Sequence, residues 1–138
     1  MATNYLAALV ELAKLRDVQV VALGGHYDVQ HDSFLGSTCV DAVQSMRFDA
    51  AFVSTSAVSD GYAFHQEDKI VTVKRAMVDV AARSHLLIDH TKLTRNALHR
   101  LLPLHRFTTV VVDAGVSPRD LAALRENDVL VEVASGAG

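Results

Sequence analysis

The sequence predicts an α/β fold: a mostly parallel sheet with helices on both faces, in three layers. Two observations carry this expectation. Short apolar, β-branched runs alternate along the chain with stretches whose apolar residues recur at helical spacing. The apolar runs also lack the period-two alternation of a sheet with one wet face, as TTVVV at 108–112 shows.

Thr3 or Asn4 is placed to cap a first helix with Leu6, Leu9, Val10 and Ala13 on its apolar face. The chain is therefore expected to open on a helix, with no strand before it. A first strand follows at 18–23 and ends in Gly24-Gly25, a pair that permits a tight turn or close approach to a ligand. The spacing required for a dinucleotide fingerprint or a P-loop is absent. Residues 26–36 form a polar loop. His26 and His31 stand beside Asp28 and Asp32 there, but without the i, i+4 histidine pairing of a zincin, and no metal is expected. Ser37 or Thr38 starts a second helix with Val40, Val43 and Met46 facing in.

The second strand, 50–53, breaks into Ser54-Thr55-Ser56, either a hydroxyl-rich turn or donors to a phosphate or sugar. A loop through Gly61 leads to the central helix, whose stripe is Ile70, Val73, Met77, Val80 and Ala81, with Arg75, Asp79 and Arg83 opposite. Asp60, His65, Glu67 and Asp68 decorate its approach, where acids also favour the helix dipole. Lys74 falls at the margin of the buried stripe. A cation there either snorkels to water or faces an anion. The strand 85–88 then ends on Asp89, Thr91 and Lys92. In open α/β sheets ligands bind at carboxyl ends of strands, so this trio either meets a polar or phosphorylated molecule or caps a turn.

A short helix is expected through Asn96, Leu98 and Leu101 to Pro103, then a fourth strand at 108–112 ending on Asp113 and Gly115. Ser117-Pro118 opens the last helix, with Leu121 and Leu124 inward. A strand at 129–133 closes the fold, and the tail 135–138 is expected to be disordered. Residues 1–134 are read as one domain.

The 138 residues suffice for a core, and half of them are hydrophobic. A net charge of −3, with no lysine/arginine cluster, argues against nucleic-acid binding by this chain itself. Cys39 is the sole cysteine, which excludes an internal disulfide and a thiolate zinc site, and is expected to be a small buried hydrophobe. No run is long enough for a membrane helix and no signal peptide is evident, so a cytoplasmic location is expected.

Seven motifs in register give a resemblance over nearly the whole chain: TN at 3–4, LGG at 23–25, SFLG at 33–36, FDAAFVSTSAVSDG at 48–61, VKRAM at 73–77, LLIDHTK at 86–92 and VVVDAG at 110–115. They resemble the C-terminal effector-sensing domain of the DeoR family of bacterial transcriptional repressors. That domain is related in fold to sugar-phosphate isomerases, glucosamine-phosphate deaminases and coenzyme A transferases. The resemblance implies a phosphorylated sugar or related metabolite as effector, no cofactor, and DNA binding only through an N-terminal winged helix-turn-helix. Nothing here matches that module, nor the family's upstream strand with its Asp, Gly, Thr, Thr loop, so the chain is expected to be a piece of a longer protein.

In the related isomerases the segment matching 54–57 carries catalytic aspartates. Here it reads Ser54, Thr55, Ser56, Ala57, and offers no carboxylate for proton transfer. Glu67 and Lys92 still resemble the isomerase base and its lysine partner. A sensor without catalytic residues is the expectation. Its ligand set is Lys92 and Lys74 for the anion, Asn4, Gly25, Ser54, Ser56 and Gly61 shaping the pocket, and Asp89 and Glu67 meeting hydroxyls or orienting the lysines. A homodimer or homotetramer is expected. Two alternatives remain: a sugar-phosphate isomerase or deaminase using Glu67 with His65 or Lys92, and an oligomerisation module without ligand.

Overall fold

A computed structural model describes residues 1–136, and the chain forms two compact units, Met1–Met46 and the segment from Arg47 onward. In the first unit, β1 (Ala2–Thr3) precedes α1 (Leu6–Leu12), contrary to a helical start. β1 pairs in parallel with β2 (Val21–Ala22), so only two residues of the expected strand at 18–23 find a ladder partner. Tyr5, not Thr3 or Asn4, is the N-cap of α1, and its amide donates to Thr3 Oγ1 at 3.1 Å. Val10 is exposed, so the apolar face of α1 is Leu6, Leu9 and Leu12.

The expected loop at 26–36 is a hairpin of β3 (His26–Asp28) and β4 (Ser33–Leu35). Tyr27 faces Phe34 across it, ring centroids 5.4 Å apart, and Asp32 takes φ of 50° in the turn. Cross-strand aromatic packing of this kind stabilises a hairpin that polar composition alone conceals. α2 (Ser37–Gln44) buries Cys39 and Val43, and Cys39 is a small core hydrophobe as expected.

The second unit holds β5 (Phe48–Ser54), β6 (Ala57–Ser59), β7 (Tyr62–His65), α3 (Asp68–Asp79), β8 (Ala81–Ile88), β9 (His99–Pro103), β10 (Thr109–Asp113), α4 (Pro118–Arg125) and β11 (Leu130–Ala134). The α/β class is as expected: a four-stranded parallel sheet, ordered β11-β10-β8-β5, flanked by helices. Register aligns Val53, Leu86, Val110 and Val131 across all four strands, and all four are buried. Val71 and Val78 of α3 and Leu124 of α4 join the same core.

Three expectations fail here. The loop through Gly61 is the β6–β7 hairpin, closed by Asp60 and Gly61 at φ of 49° and 80°, the positive-φ pair that a two-residue turn demands. The helix expected through Leu101 to Pro103 is strand β9, antiparallel to β7, giving a second, three-stranded sheet. A long-range pairing here overrides local helical spacing. Val80 caps α3 and Ala81 already belongs to β8, so the helical stripe ends earlier than its periodicity suggests.

Arg75 is also redirected. Its Nε donates to the Leu101 carbonyl at 2.7 Å and its Nη2 to the Arg100 carbonyl at 2.6 Å, covering the open edge of β9. Ser117 caps α4 by accepting from the Asp120 amide at 3.1 Å, with Pro118 at the first turn. Of the tail, Ser135 and Gly136 are exposed outside any strand, while Ala137 and Gly138 lie outside the described residues.

Candidate functional site

Parallel pairing brings the carboxyl ends of β5, β8 and β10 to one end of the main sheet. Ser54 lies beside Leu87, and Ile88 beside Val112. Asp89 and Asp113, each one residue further, are therefore neighbours at adjacent strand ends. Polar groups gather there because the ladder has ended and the chain must turn.

Asp89 is the N-cap of a 3-10 turn over His90–Thr94. Its Oδ1 accepts from the Thr91 amide at 2.9 Å and from the Thr91 hydroxyl, and its Oδ2 takes Lys92 Nζ at 2.8 Å. The Lys92 hydrogen bond first, then the Thr91 hydroxyl, hold the carboxyl well below the usual carboxylate range, against a smaller opposing effect of burial. Of the two readings of this trio the structure shows the turn cap: Asp89 caps the turn and also clamps Lys92. One N–H of the ammonium points at Asp89, and two remain for other acceptors.

Lys74 reaches from α3 to the end of β5. Its Nζ donates to the Ser54 carbonyl at 2.5 Å and lies 3.4 Å from Ser54 Oγ. Among the described residues no carboxylate pairs with it. Burial lowers its pKa to about 8, because a desolvated ammonium is costly without a compensating anion. Its place on the helix offered water or an anion; the half-buried ammonium instead meets a backbone carbonyl.

The remaining expected residues serve other local ends. Thr55 is buried, its hydroxyl donating to the Phe64 carbonyl. The Ser56 amide donates to the same carbonyl at 3.1 Å. Gly61 forms the hairpin turn, where an added Cβ would sit 2.6 Å from Asn127 Oδ1. It lines a cavity of about 510 Å³ with Val58, Leu93, Leu104, Leu124 and Asn127; Ser54, Lys74, Asp89 and Lys92 do not line it. Glu67 is the N-cap residue of α3 without a side-chain cap, and its Oε2 lies 3.1 Å from Lys69 Nζ.

Asn4 and Gly25 belong to the first unit. Asn4 Nδ2 donates to the Phe34 carbonyl at 2.9 Å, tying the chain start to the hairpin. At Gly25 a Cβ would meet the Leu35 carbonyl oxygen at 2.6 Å, so close backbone packing requires glycine there.

The structure adds His90 and Asp113 to the strand-end cluster. His90 donates its amide to Asp113 Oδ1 at 2.6 Å, and its Nδ1 lies 2.7 Å from Oδ2. The signal in the sequence was two strands ending on aspartate, at LLID and VVVD. Only their pairing in register reveals that the second aspartate holds a residue following the first.

A parallel α/β sheet that gathers cationic and hydroxyl groups at its strand ends belongs to the class of α/β domains, which bind ligands at that end of the sheet. The chain belongs to the family described as the DeoR C terminal sensor domain, whose model matches residues 1–114. It is 30% identical over 131 residues to a putative aga operon transcriptional repressor of Escherichia coli O157:H7, covering 94% of this chain and 48% of the relative. It is 29% identical over 119 residues to the lactose phosphotransferase system repressor of Lactococcus lactis subsp. lactis, covering 86% and 47%. It is 24% identical over 132 residues to the glycerol-3-phosphate regulon repressor of Escherichia coli (strain K12), covering 95% and 52%. The chain spans about half the length of the curated relatives it matches. Among the described residues, no helix is long and apolar enough to cross a membrane.

Proposed function

We propose that the chain senses a phosphorylated sugar or related metabolite, and that binding alters how a DNA-binding domain elsewhere in the parent protein holds its operator. Residues 1–134 act as one effector-sensing domain, in a cytoplasmic homodimer or homotetramer. The observation that carries this reading is the pair of lysines at the strand ends of the second unit. Lys92 is held against Asp89 at 2.8 Å, and Lys74 is desolvated against Ser54 with no acid to neutralise it among the described residues. Lys92 and Lys74 contact the phosphate, Ser54 and Ser56 donate hydroxyls, and Asp89 orients Lys92. Charge-assisted hydrogen bonds of this kind contribute roughly 1.5–3 kcal/mol each.

The relatives' names as repressors of the lactose phosphotransferase system and the glycerol-3-phosphate regulon are in keeping with sugar or phosphorylated effectors. Sensing rather than turnover is favoured by the segment 54–57, which carries no carboxylate for proton transfer. A thermal-shift and calorimetric screen against phosphorylated sugars, run beside a turnover assay, tests the proposal. Stabilisation without turnover supports it. Conversion of the sugar phosphate would make the chain an enzyme, and oligomerisation with no ligand response would make it an assembly module.

A further inference from the structure

We propose that His90 is a third anion contact of the strand-end site, donating through Nε2 to a phosphate oxygen, and that Asp113 is its positioning residue. The inference rests on the sensor reading above. It extends the site from the ends of β5 and β8 to the end of β10.

The geometry carries it. Asp113 grips His90 at two points, the amide at 2.6 Å and Nδ1 at 2.7 Å. The amide bond alone would clip the two strand ends together. The ring bond does something further: it fixes the imidazole's orientation and commits the Nδ1 proton to Asp113, so that Nε2 donates when the ring carries its second proton. A carboxylate on one ring nitrogen is a common device for presenting the other. Space for the ring is built in, since a Cβ at Gly115 would sit 2.5 Å from His90 Nδ1. The imidazole occupies the room that glycine leaves. His90 is 46% exposed and therefore reachable from solvent.

Charge follows from the same contacts. Asp113 faces the ring from β10, and its carboxyl is held below the usual range chiefly by His90. On the same turn as His90, Asp89 and Lys92 are paired with each other. A protonated His90 adds a positive charge to the turn that also carries Lys92. Anion affinity should rise as the imidazole takes up its proton.

Sulfate is the discriminating probe, because unlike phosphate it does not titrate near neutral pH. Its dissociation constant, and that of ribose 5-phosphate, are measured by calorimetry at pH 6 and pH 8 for the wild type, His90→Gln and Asp113→Asn. The wild type should bind sulfate at least about fivefold tighter at pH 6 than at pH 8. That ratio should fall towards one in His90→Gln and shrink in Asp113→Asn. Ring nitrogen NMR shifts should place the bound-state change on His90 Nε2. An undiminished pH ratio in His90→Gln, with wild-type binding intact and Lys92-dependent, overturns this inference alone. No binding of sulfate or any sugar phosphate by the wild type at either pH overturns both it and the sensor reading.

Discussion

Lys74, in the middle of α3, ends 2.5 Å from the carbonyl oxygen of Ser54, the last residue of β5. The contact ties the helix to a strand end and holds a half-buried ammonium against a neutral acceptor. A backbone carbonyl satisfies one N–H but offsets little of the charge. The position is poor for stability.

Replacing Lys74 by Met should therefore stabilise the ligand-free protein by about 1–3 kcal/mol at pH 7. Because folding lowers this pKa to about 8, the unfolded chain binds the proton more tightly between pH 8 and its ordinary value near 10.5. The penalty is complete below pH 8 and fades as pH rises through that window. Urea denaturation of both proteins at pH 7 and pH 10 should show the gap closing. Comparing the two cancels Tyr27 and Cys39, whose raised pKa values act in the same alkaline range. A Met variant less stable at pH 7 would contradict the desolvation account.

Lys92→Ala should weaken binding of a phosphorylated effector tenfold or more, the equivalent of about 1.4 kcal/mol or more, while leaving the circular dichroism spectrum unchanged. Asp89 still caps the turn through Thr91 in that variant. Equal affinity in calorimetry would remove Lys92 from the site.

Acid sensitivity should trace to Asp89. Its carboxyl is held well below the usual range by Lys92 and Thr91, so its contribution to stability is present above pH 4 and lost as pH falls towards the folded value. Asp89→Asn should melt earlier than wild type at pH 6, and the difference should shrink steadily as pH falls from about 4 to about 2. Parallel melting curves across the range would show that the Lys92 clamp contributes nothing to folding.

Gly25→Ala should damage stability rather than recognition. The new Cβ would stand 2.6 Å from the Leu35 carbonyl oxygen, and backbone cannot yield as a flexible side chain does. A loss of roughly 1–3 kcal/mol is expected. Thermal denaturation checks this, and an unaltered melting temperature would mean the first unit adjusts freely.

The strands of the main sheet were legible because their residues are apolar regardless of position. Val110 and Val112, with Leu86 and Ile88, fill the buried face of the parallel sheet, while Leu87 is exposed. The Ser117-Pro118 start of α4 was equally plain, since capping is a local event. The hairpin of β3 and β4 was not, because Tyr27 and Phe34 reveal themselves as a pair only once they face each other. β9 was misread as helix for a related reason: leucines at 98, 101 and 102 satisfy helical spacing, and only a partner strand says otherwise.

At the candidate site the division is similar. Sequence alone determined that Asp89, Thr91 and Lys92 stand at the end of a buried strand, and that residues 54–57 lack an acid. It determined the family as well, since its motifs run through the whole chain in order. Tertiary structure decided what those groups do to one another. Asp113 reaches a histidine 23 residues earlier, and Lys74 finds a carbonyl 20 residues before it. Such contacts depend on strand register, which is a property of two distant segments together and is written in neither one.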